Sequence, residues 1–142
     1  MNKEGIAKRI NKKTAPKIIR RIVLLGLVVY FLLLFSDYFM LKNSTVFADG
    51  KIYYEGYTPI IAHAYGRLKA NPFAVQIFKK LEEEGSNAGK AFALKALKEL
   101  DNSYFLSLKG KYLINKEPVS CQSGCVGYSI ALKDFYARLI KD

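Results

Sequence analysis

The chain has 142 residues, with 23 Lys and Arg against 12 Asp and Glu, so its formal net charge is +11. This length suits one modest domain. Gly and Pro number 10 and 4, and aromatic residues make up 13% of the chain, which excludes low-complexity, collagen-like and mostly disordered proteins. From residue 22 to residue 35 the only polar side chain is that of Tyr30, and this apolar stretch excludes an ordinary soluble protein.

The N-terminal third combines a basic tail with a long apolar run. Residues 1–21 hold eight Lys or Arg and one Glu, a net charge of +7. Residues 22–41 follow as a run of 20 mostly apolar residues, and a helix of that length is roughly 30 Å long, which matches the hydrocarbon thickness of a bilayer. A helix also satisfies its own backbone hydrogen bonds in lipid. The sequence therefore predicts a basic tail at 1–21 and one transmembrane helix at 22–41.

Charge asymmetry around the predicted span gives its expected orientation. Lys and Arg are dense before residue 22 and sparse just after residue 41, which favours a cytoplasmic N-terminus. Residues 42–142 are then expected to form an extracytoplasmic domain, in the periplasm of a bacterium whose inner membrane holds the span. A cleaved signal peptide is the alternative, but it needs small residues at its cleavage site. Bulky residues occupy 38–41, so an uncleaved signal anchor is favoured.

The basic tail has two interpretations. A cluster of Lys and Arg can neutralise nucleic-acid phosphates. No aromatic residue is interleaved to stack on bases, and the cluster adjoins the predicted span, so we expect no nucleic-acid partner. Anionic inner-leaflet lipid attracts each nearby basic residue by about 1 kcal/mol, which is sufficient to explain the tail. The residues assigned to lipid contact are Lys12, Lys13, Lys17, Arg20 and Arg21.

One ionisable residue lies near the end of the predicted span. Asp37 would be a functional candidate if it faced a partner inside the bilayer. It is followed by Tyr38 and Phe39, and aromatic residues are typical of the membrane interface. We therefore expect Asp37 at the outer interface.

The segment from Lys42 onward is predicted to be a small α+β domain, with short antiparallel hairpins and about four helices in the order ββαααββα. Residues 45–48 and 51–54 are β-prone and flank Asp49-Gly50, a dipeptide that favours a two-residue hairpin turn. A second β-prone pair, 104–108 and 111–114, predicts another hairpin, because apolar residues partly alternate there.

Helix signals separate and follow these hairpins. Pro59 and Pro72 each precede apolar residues at helical spacing, Gly85 ends the second of these stretches, and Ser86 can cap a third. Apolar residues between 128 and 140 predict a terminal helix. A helical-repeat protein is the alternative for the three consecutive helices, but the segments match poorly in register and fewer than three repeats fit.

Two cysteines follow the predicted span. Cys121 and Cys125 would lie in an oxidising compartment, which favours a disulfide between them, and Gly124 supplies the flexibility of so small a ring. Such a bond would fix one loop and not the whole domain. The alternatives are a redox pair, although Cys-x3-Cys differs from the usual Cys-x-x-Cys spacing, a bond between chains, or free thiols.

Catalytic, cofactor and metal sites are not predicted. The single His63 lies between two alanines of a predicted helix, and with two cysteines it leaves a tetrahedral metal site one ligand short. The run 82–84 is Glu-Glu-Glu, whose side chains point about 100° apart on a helix, so we interpret it as a solvated helix end and not as an acid/base pair. The sequence also lacks a phosphate-binding Gly-rich loop, a nucleophile elbow and a zinc-protease motif. We therefore expect no enzymatic activity and no cofactor.

Tyrosine is abundant after the predicted span, where eight of the 10 tyrosines lie. Its side chain buries a large area and keeps a polar tip, which suits both the rim of a shallow core and a protein interface. Tyr53 and Tyr54 are neighbours on a predicted strand and must point to opposite faces. Together with Tyr57 they form a candidate partner surface, the alternative being core and rim positions.

A tethered domain without catalytic residues acts through binding. The sequence thus favours an accessory, assembly or stabilising subunit of an envelope complex, such as a secretion or conjugation machine or a membrane-bound regulator, with membrane lipid and another envelope protein as partners. This rests on architectural analogy alone. An immunity or inhibitor-type protein, which protects against an incoming toxin or a neighbouring enzyme, is the alternative. A thiol-redox factor acting through Cys121 and Cys125 is the third.

Overall fold

The computed structural model describes residues 15–48, 59–124 and 126–141, with side chains from residue 19 onward. The chain divides into two compact units, Met1–Phe35 and Ser36–Asp142. Seven helices and one two-stranded antiparallel sheet are described, which confirms a mixed helix and sheet fold with more helices than expected. The elements are α1 (Ala15–Lys42), α2 (Ile60–Lys69), α3 (Ala74–Glu84), α4 (Asn87–Leu100), α5 (Asn102–Ser107), α6 (Lys109–Tyr112), β1 (Pro118–Ser123), β2 (Val126–Ala131) and α7 (Leu132–Lys141).

The first unit consists, in its described part, of the exposed portion of α1. Pro16 lies in the first turn, where a missing N–H costs no hydrogen bond. The stretch Ile19–Lys42 is long and apolar enough to cross a membrane, with a mean hydropathy of 2.3 and only 6% of its most apolar window buried. Its large side chains between residues 22 and 35 are exposed apart from Leu34, which is half-buried. Residues 22–35 of α1 are therefore largely not buried by the described protein.

The last turns of α1, residues 36–42, belong to the second unit. Leu41 is fully buried there. Asp37 is also buried and accepts two hydrogen bonds from the Arg67 guanidinium of α2, at 2.7 Å from Nε and 2.6 Å from the terminal nitrogen. The predicted span 22–41 thus overlaps the second unit at its end, and Asp37 has an ion-pair partner within the chain.

Helix α4 lies at the centre of the second unit and contacts α3, α5, α7 and β1. It is buried on almost every side because small residues at several positions let neighbouring elements approach. At Gly89 the approach is closest, since a Cβ atom there would lie 2.7 Å from the carbonyl oxygen of Leu41. Ser86 caps α4 by accepting a bond from Gly89 N–H at 3.0 Å, and its hydroxyl donates to the Ser44 carbonyl at 2.6 Å. The end of α1 is therefore held against the start of α4.

Aromatic side chains from five segments meet in the core. The Phe92 ring of α4 has centroid distances of 4.7 Å to Phe47 and 5.5 Å to Tyr65 of α2. Tyr65 reaches Phe78 of α3 at 5.7 Å, and Phe47 reaches Phe135 of α7 at 4.9 Å. Such tilted and edge-on pairs contribute about 0.5–1.5 kcal/mol each beyond the burial of their area. They join distant parts of the sequence into one core.

Three predicted helices are confirmed as α2, α3 and α4. Pro59 directly precedes α2 as its N-cap residue in an extended conformation, so it is not the first helical residue that the sequence favours. Asn71 opens the turn before α3 by accepting a hydrogen bond from Phe73 N–H at 2.9 Å, and Gly85 is the residue that ends α3. Ser86 caps α4, as predicted.

The predicted hairpin at 104–114 is wrong, because this segment forms α5 and α6. Asp101 starts α5, and its carboxylate accepts a bond from Tyr104 N–H at 3.1 Å. The buried side chains of Phe105 and Tyr112, with half-buried Leu108 between them, follow the helical spacing i, i+3, i+7. The helical spacing of the buried residues and the N-cap at Asp101 therefore outweigh the partial alternation of apolar residues in this segment.

The described hairpin lies instead at 118–131, where β1 pairs with β2 from Pro118↔Ala131 to Ser123↔Val126. Pro118 begins β1, a position where its missing N–H is tolerated. Gly124 occupies the turn with φ +56°, a conformation that favours glycine. The terminal helix therefore begins at Leu132, four residues later than expected. The other predicted hairpin, 45–54, lies outside the described residues from 49 onward.

Candidate functional site

Strand β1 has a neighbour on each of its edges. On one edge lies Phe47, whose N–H donates to the Ser120 carbonyl at 2.8 Å and whose carbonyl accepts from Gln122 N–H at 2.9 Å. Main-chain groups alternate sides along a strand, so the intervening residues of β1 face β2. Cys121 is one of them and lies opposite Tyr128.

The far edge of β2 is open. Because Val126, Tyr128 and Ile130 are the partners of the β1 residues that face β2, their main-chain groups bond to β1. The N–H and C=O groups of Gly127 and Ser129 then point away from the sheet. Within the described ranges no further strand pairs with this edge. Val126 is 63% exposed and Tyr128 43% exposed, so solvent reaches the outer edge of β2.

A groove of about 370 Å³ runs beside this hairpin, between β2, α4 and α7. Its apolar wall consists of Phe47, Tyr128, Ile130, Phe135 and Leu139. Tyr128 and Ile130 lie on the sheet face that also carries buried Val119 and Cys121, because residues that pair across two strands share a face. Strand β2 therefore contributes side chains to one end of the groove and also has the open main-chain edge.

The other wall of the groove is cationic. Helix α4 contributes Lys95, Lys98 and Glu99, and α7 contributes Arg138. Glu99 is paired with Lys69 of α2, so its charge is partly offset there. Within the part of the chain that the structure describes, Lys98 and Arg138 have no carboxylate partner. An apolar floor beside Lys98 and Arg138 suits a ligand that carries both an apolar and an anionic group.

The side chain of Cys121 is buried beneath the hairpin, and its sulfur forms no disulfide with another described residue. Burial raises the pKa of this thiol, and the positive charge of Arg138 partly opposes the rise. Cys125 lies outside the described residues, so the Cys121–Cys125 disulfide stays a prediction. A buried thiol with a raised pKa is a weak nucleophile.

The acidic end of α3 differs from its sequence interpretation. The sequence predicts a solvated Glu82, but the side chain is 1% exposed. It accepts hydrogen bonds from the Tyr112 hydroxyl at 2.7 Å and from Lys111 Nζ at 2.5 Å. Burial, followed by this bond to Glu82, raises the pKa of Tyr112. Glu82 continues the buried stripe of α3 four residues after Phe78, a spacing that could have revealed it. The cluster is satisfied internally and ties α3 to α6.

The remaining predicted site residues lie apart from the groove or outside the described residues. His63 lies on α2 away from the groove, and no group of three His, Cys, Asp or Glu that could hold a metal occurs in the described ranges. Tyr53, Tyr54 and Tyr57 fall in 49–58, outside those ranges, as do Lys12 and Lys13. Lys17 is described by its backbone alone, whereas Arg20 and Arg21 are exposed on α1.

The groove was not predicted from the sequence. Lys98 and Arg138 are 40 positions apart, so only the tertiary fold brings them together. The uncharged, proline-free run Val126–Ala131 was the available signal for an open strand.

No known protein family indicates a role for these features. Comparison of the chain with family models, with curated proteins and with solved structures finds no match.

Proposed function

We propose that this protein is a single-pass membrane protein whose second unit binds another protein of the cell envelope, without catalysing a reaction. The observation that carries the proposal is the exposed face of α1. Twelve large apolar or aromatic side chains between residues 22 and 35 are exposed, and removing them from water is worth on the order of 20 kcal/mol. A bilayer is the environment that removes all of them at once.

The flanks of this stretch support a span with a cytoplasmic N-terminus. Residues 22–35 number 14, which is roughly 21 Å of helix and shorter than a typical hydrocarbon core. Arg20 and Arg21 directly precede it, and their long side chains reach the headgroups from within the first turn of the span. The excess of Lys and Arg before the helix favours the cytoplasmic side for that end. The second unit is then periplasmic in a bacterium.

A binding role for the second unit is supported by its groove. The groove is lined by aromatic and cationic residues, and aromatic residues and Arg are enriched in protein interfaces. An accessory or stabilising subunit of an envelope complex fits a small anchored domain of this kind. Constitutive association with that complex is the expected behaviour, whereas an immunity-type protein would associate only with its target.

Reporter fusions test the topology. A C-terminal alkaline phosphatase, which is active only outside the cytoplasm, should be active, and a C-terminal green fluorescent protein exported by the same route should be dark. N-terminal sequencing of the membrane fraction should give a chain that still contains residues 22–41. An inactive phosphatase with a bright fluorescent fusion, or a mature chain that begins after Leu41, contradicts the proposal.

Photocrosslinking in cells tests the binding role. A crosslinking amino acid at Tyr128 in the groove should yield a discrete protein adduct in growing cells, whereas the same amino acid at Ile114, which is exposed on another part of the unit, is the matched control. Equal adduct patterns at both positions, or no adduct at either, count against a protein-binding groove. Adducts seen only after a toxin is supplied indicate the immunity-type alternative.

A further inference from the structure

The outer edge of β2 combines three properties that favour pairing with another strand. It is solvent-exposed, it contains neither a charged residue nor Pro, and it adjoins a cationic groove. Natural proteins usually protect such edges with Lys, Pro, bulges or a covering element, because an open edge recruits other strands. An unprotected edge beside a side-chain groove is the arrangement used for strand addition by a bound peptide.

We propose that the outer edge of β2 is a docking site for an extended segment of the partner protein, which adds as a further strand and places an acidic side chain in the groove. This inference rests on the proposed protein-binding function and specifies the chemistry of the partner. Main-chain hydrogen bonds provide the affinity, and the groove provides the selection for an acidic sequence.

The main-chain part of the site consists of Gly127 and Ser129. Each directs one N–H and one C=O outward, so a docked strand can form up to four hydrogen bonds with β2. Both residues are exposed and small. A Cβ built on Gly127 meets no atom within 4 Å outside its chain neighbours, so the sheet face at this residue is open, and within the described ranges no further strand pairs with this edge.

The side-chain part follows from strand geometry. Alternate side chains of the docked strand lie on the sheet face of Tyr128 and Ile130, which is the face that lines the groove. An apolar side chain there contacts the Tyr128 and Phe135 rings. A carboxylate in the next position on that face is placed between Lys98 and Arg138, the second of which can bind it with two hydrogen bonds.

Charge distinguishes this occupant from a second copy of the chain. If β2 paired with β2 of another copy, the incoming strand would be Val126–Ala131, which has no carboxylate for Lys98 and Arg138. The two cationic rims would also repel each other. An acidic extended segment therefore fits the site better than a symmetric dimer does.

Peptide binding to the full chain tests the proposal. The protein is placed in nanodiscs of zwitterionic lipid, and the probe is a fluorescent, end-capped octapeptide of repeated Val-Ser-Glu-Ser, which carries Val and Glu in turn on one strand face. The same peptide with Lys in place of Glu is its matched control. We expect saturable anisotropy for the acidic peptide and at least tenfold weaker binding for the basic one. Amide exchange at Gly127 and Ser129 should slow when the acidic peptide is bound.

Two variants separate main-chain pairing from side-chain selection. Gly127→Pro removes one outward N–H and should weaken binding at least tenfold, whereas Gly127→Ala keeps the N–H and should bind like the parent. Arg138→Glu should lose the acidic peptide and gain the basic one. This exchange of preference does not follow from a merely structural effect, so it decides the matter even if Gly127→Pro fails to fold.

Three results would overturn the proposal. They are equal binding of the two peptides, unchanged exchange at Gly127 and Ser129 under saturating peptide, and a concentration-dependent dimer of the free protein that Gly127→Pro dissociates. The last result would assign the edge to a second copy. None of them alters the reporter topology or the adducts formed in cells, so failure of this inference is distinguishable from failure of the proposed function.

Discussion

Helices α1 and α4 are both rich in apolar residues, yet α4 is buried by protein whereas most of α1 is exposed. In α4 the apolar positions are shared between Ala and larger residues, and from Ala91 to Leu94 every side chain is fully buried by protein. In α1 the stretch 22–35 consists of large side chains with Gly26 as its single small residue, and it is exposed. Small residues let helices and strands approach a central helix, whereas large residues all round suit a lipid surface. The size of the apolar residues, and not their number, distinguishes the two environments.

The largest expected effect is on the core around α4. Leu94→Ala removes fully buried methyl groups and should lower the free energy of unfolding of the second unit by about 2–5 kcal/mol. The same substitution at exposed Leu25 of α1 should change it by less than about 0.5 kcal/mol. Denaturant unfolding in nanodiscs, followed by tyrosine fluorescence, measures both. Equal losses would mean that α1 is also a core helix.

Breaking the buried carboxylate cluster should have the next largest effect. Glu82→Leu leaves the Tyr112 hydroxyl without its acceptor, so we expect a loss of about 1–3 kcal/mol in unfolding free energy. Glu83→Leu, at the exposed neighbouring position, is the control and should be nearly neutral. A neutral Glu82→Leu would show that α3 and α6 are not held together by this carboxylate.

Alanine substitutions of one glycine in each helix test how closely other parts of the chain approach α4 and α1. Gly89→Ala brings a Cβ atom within 2.7 Å of the Leu41 carbonyl oxygen, so α1 and α4 must move apart at a cost of about 1–3 kcal/mol. Gly26→Ala meets no atom within 4 Å and gains helix propensity. The midpoint temperature of thermal unfolding should therefore fall for Gly89→Ala and should rise or stay unchanged for Gly26→Ala. Destabilisation of both by the same amount contradicts the comparison.

The smallest expected effect is electrostatic. The hydrogen bond from Lys79, with that from Tyr104 N–H, lowers the pKa of Asp101 from 3.8 to about 2. Because the pKa is lower in the folded state, the contribution of this carboxylate to stability is complete above the unfolded pKa and is lost as the pH falls through about 2. The difference in thermal midpoint between the parent and Asp101→Asn should be constant above about pH 5 and shrink at lower pH. A difference that stays the same down to about pH 2 would contradict this assignment.

The parts of the fold that the sequence predicts are those specified locally. Helices α2, α3 and α4 carry their own start and stop residues, such as Pro59, Gly85 and Ser86, so their existence was predicted correctly. The segment 104–114 was misassigned because two periods fitted its apolar residues, and the cap at Asp101 decides between them.

The groove and the ion pairs depend on contacts between distant segments. The pairing of Asp37 with Arg67 joins residues 30 positions apart, and no local pattern encodes it. Glu82 is the exception, since its place four residues after Phe78 on one helix face is a local signal of burial.

The uncovered strand also has a practical consequence for handling the purified protein. Without a docked strand, β2 can pair with extended segments exposed on partly unfolded molecules during storage, which leads to aggregation and loss of material. A lysine introduced as Ser129→Lys would act as a gatekeeper on that strand, and a sample carrying it should remain clear for longer than the parent.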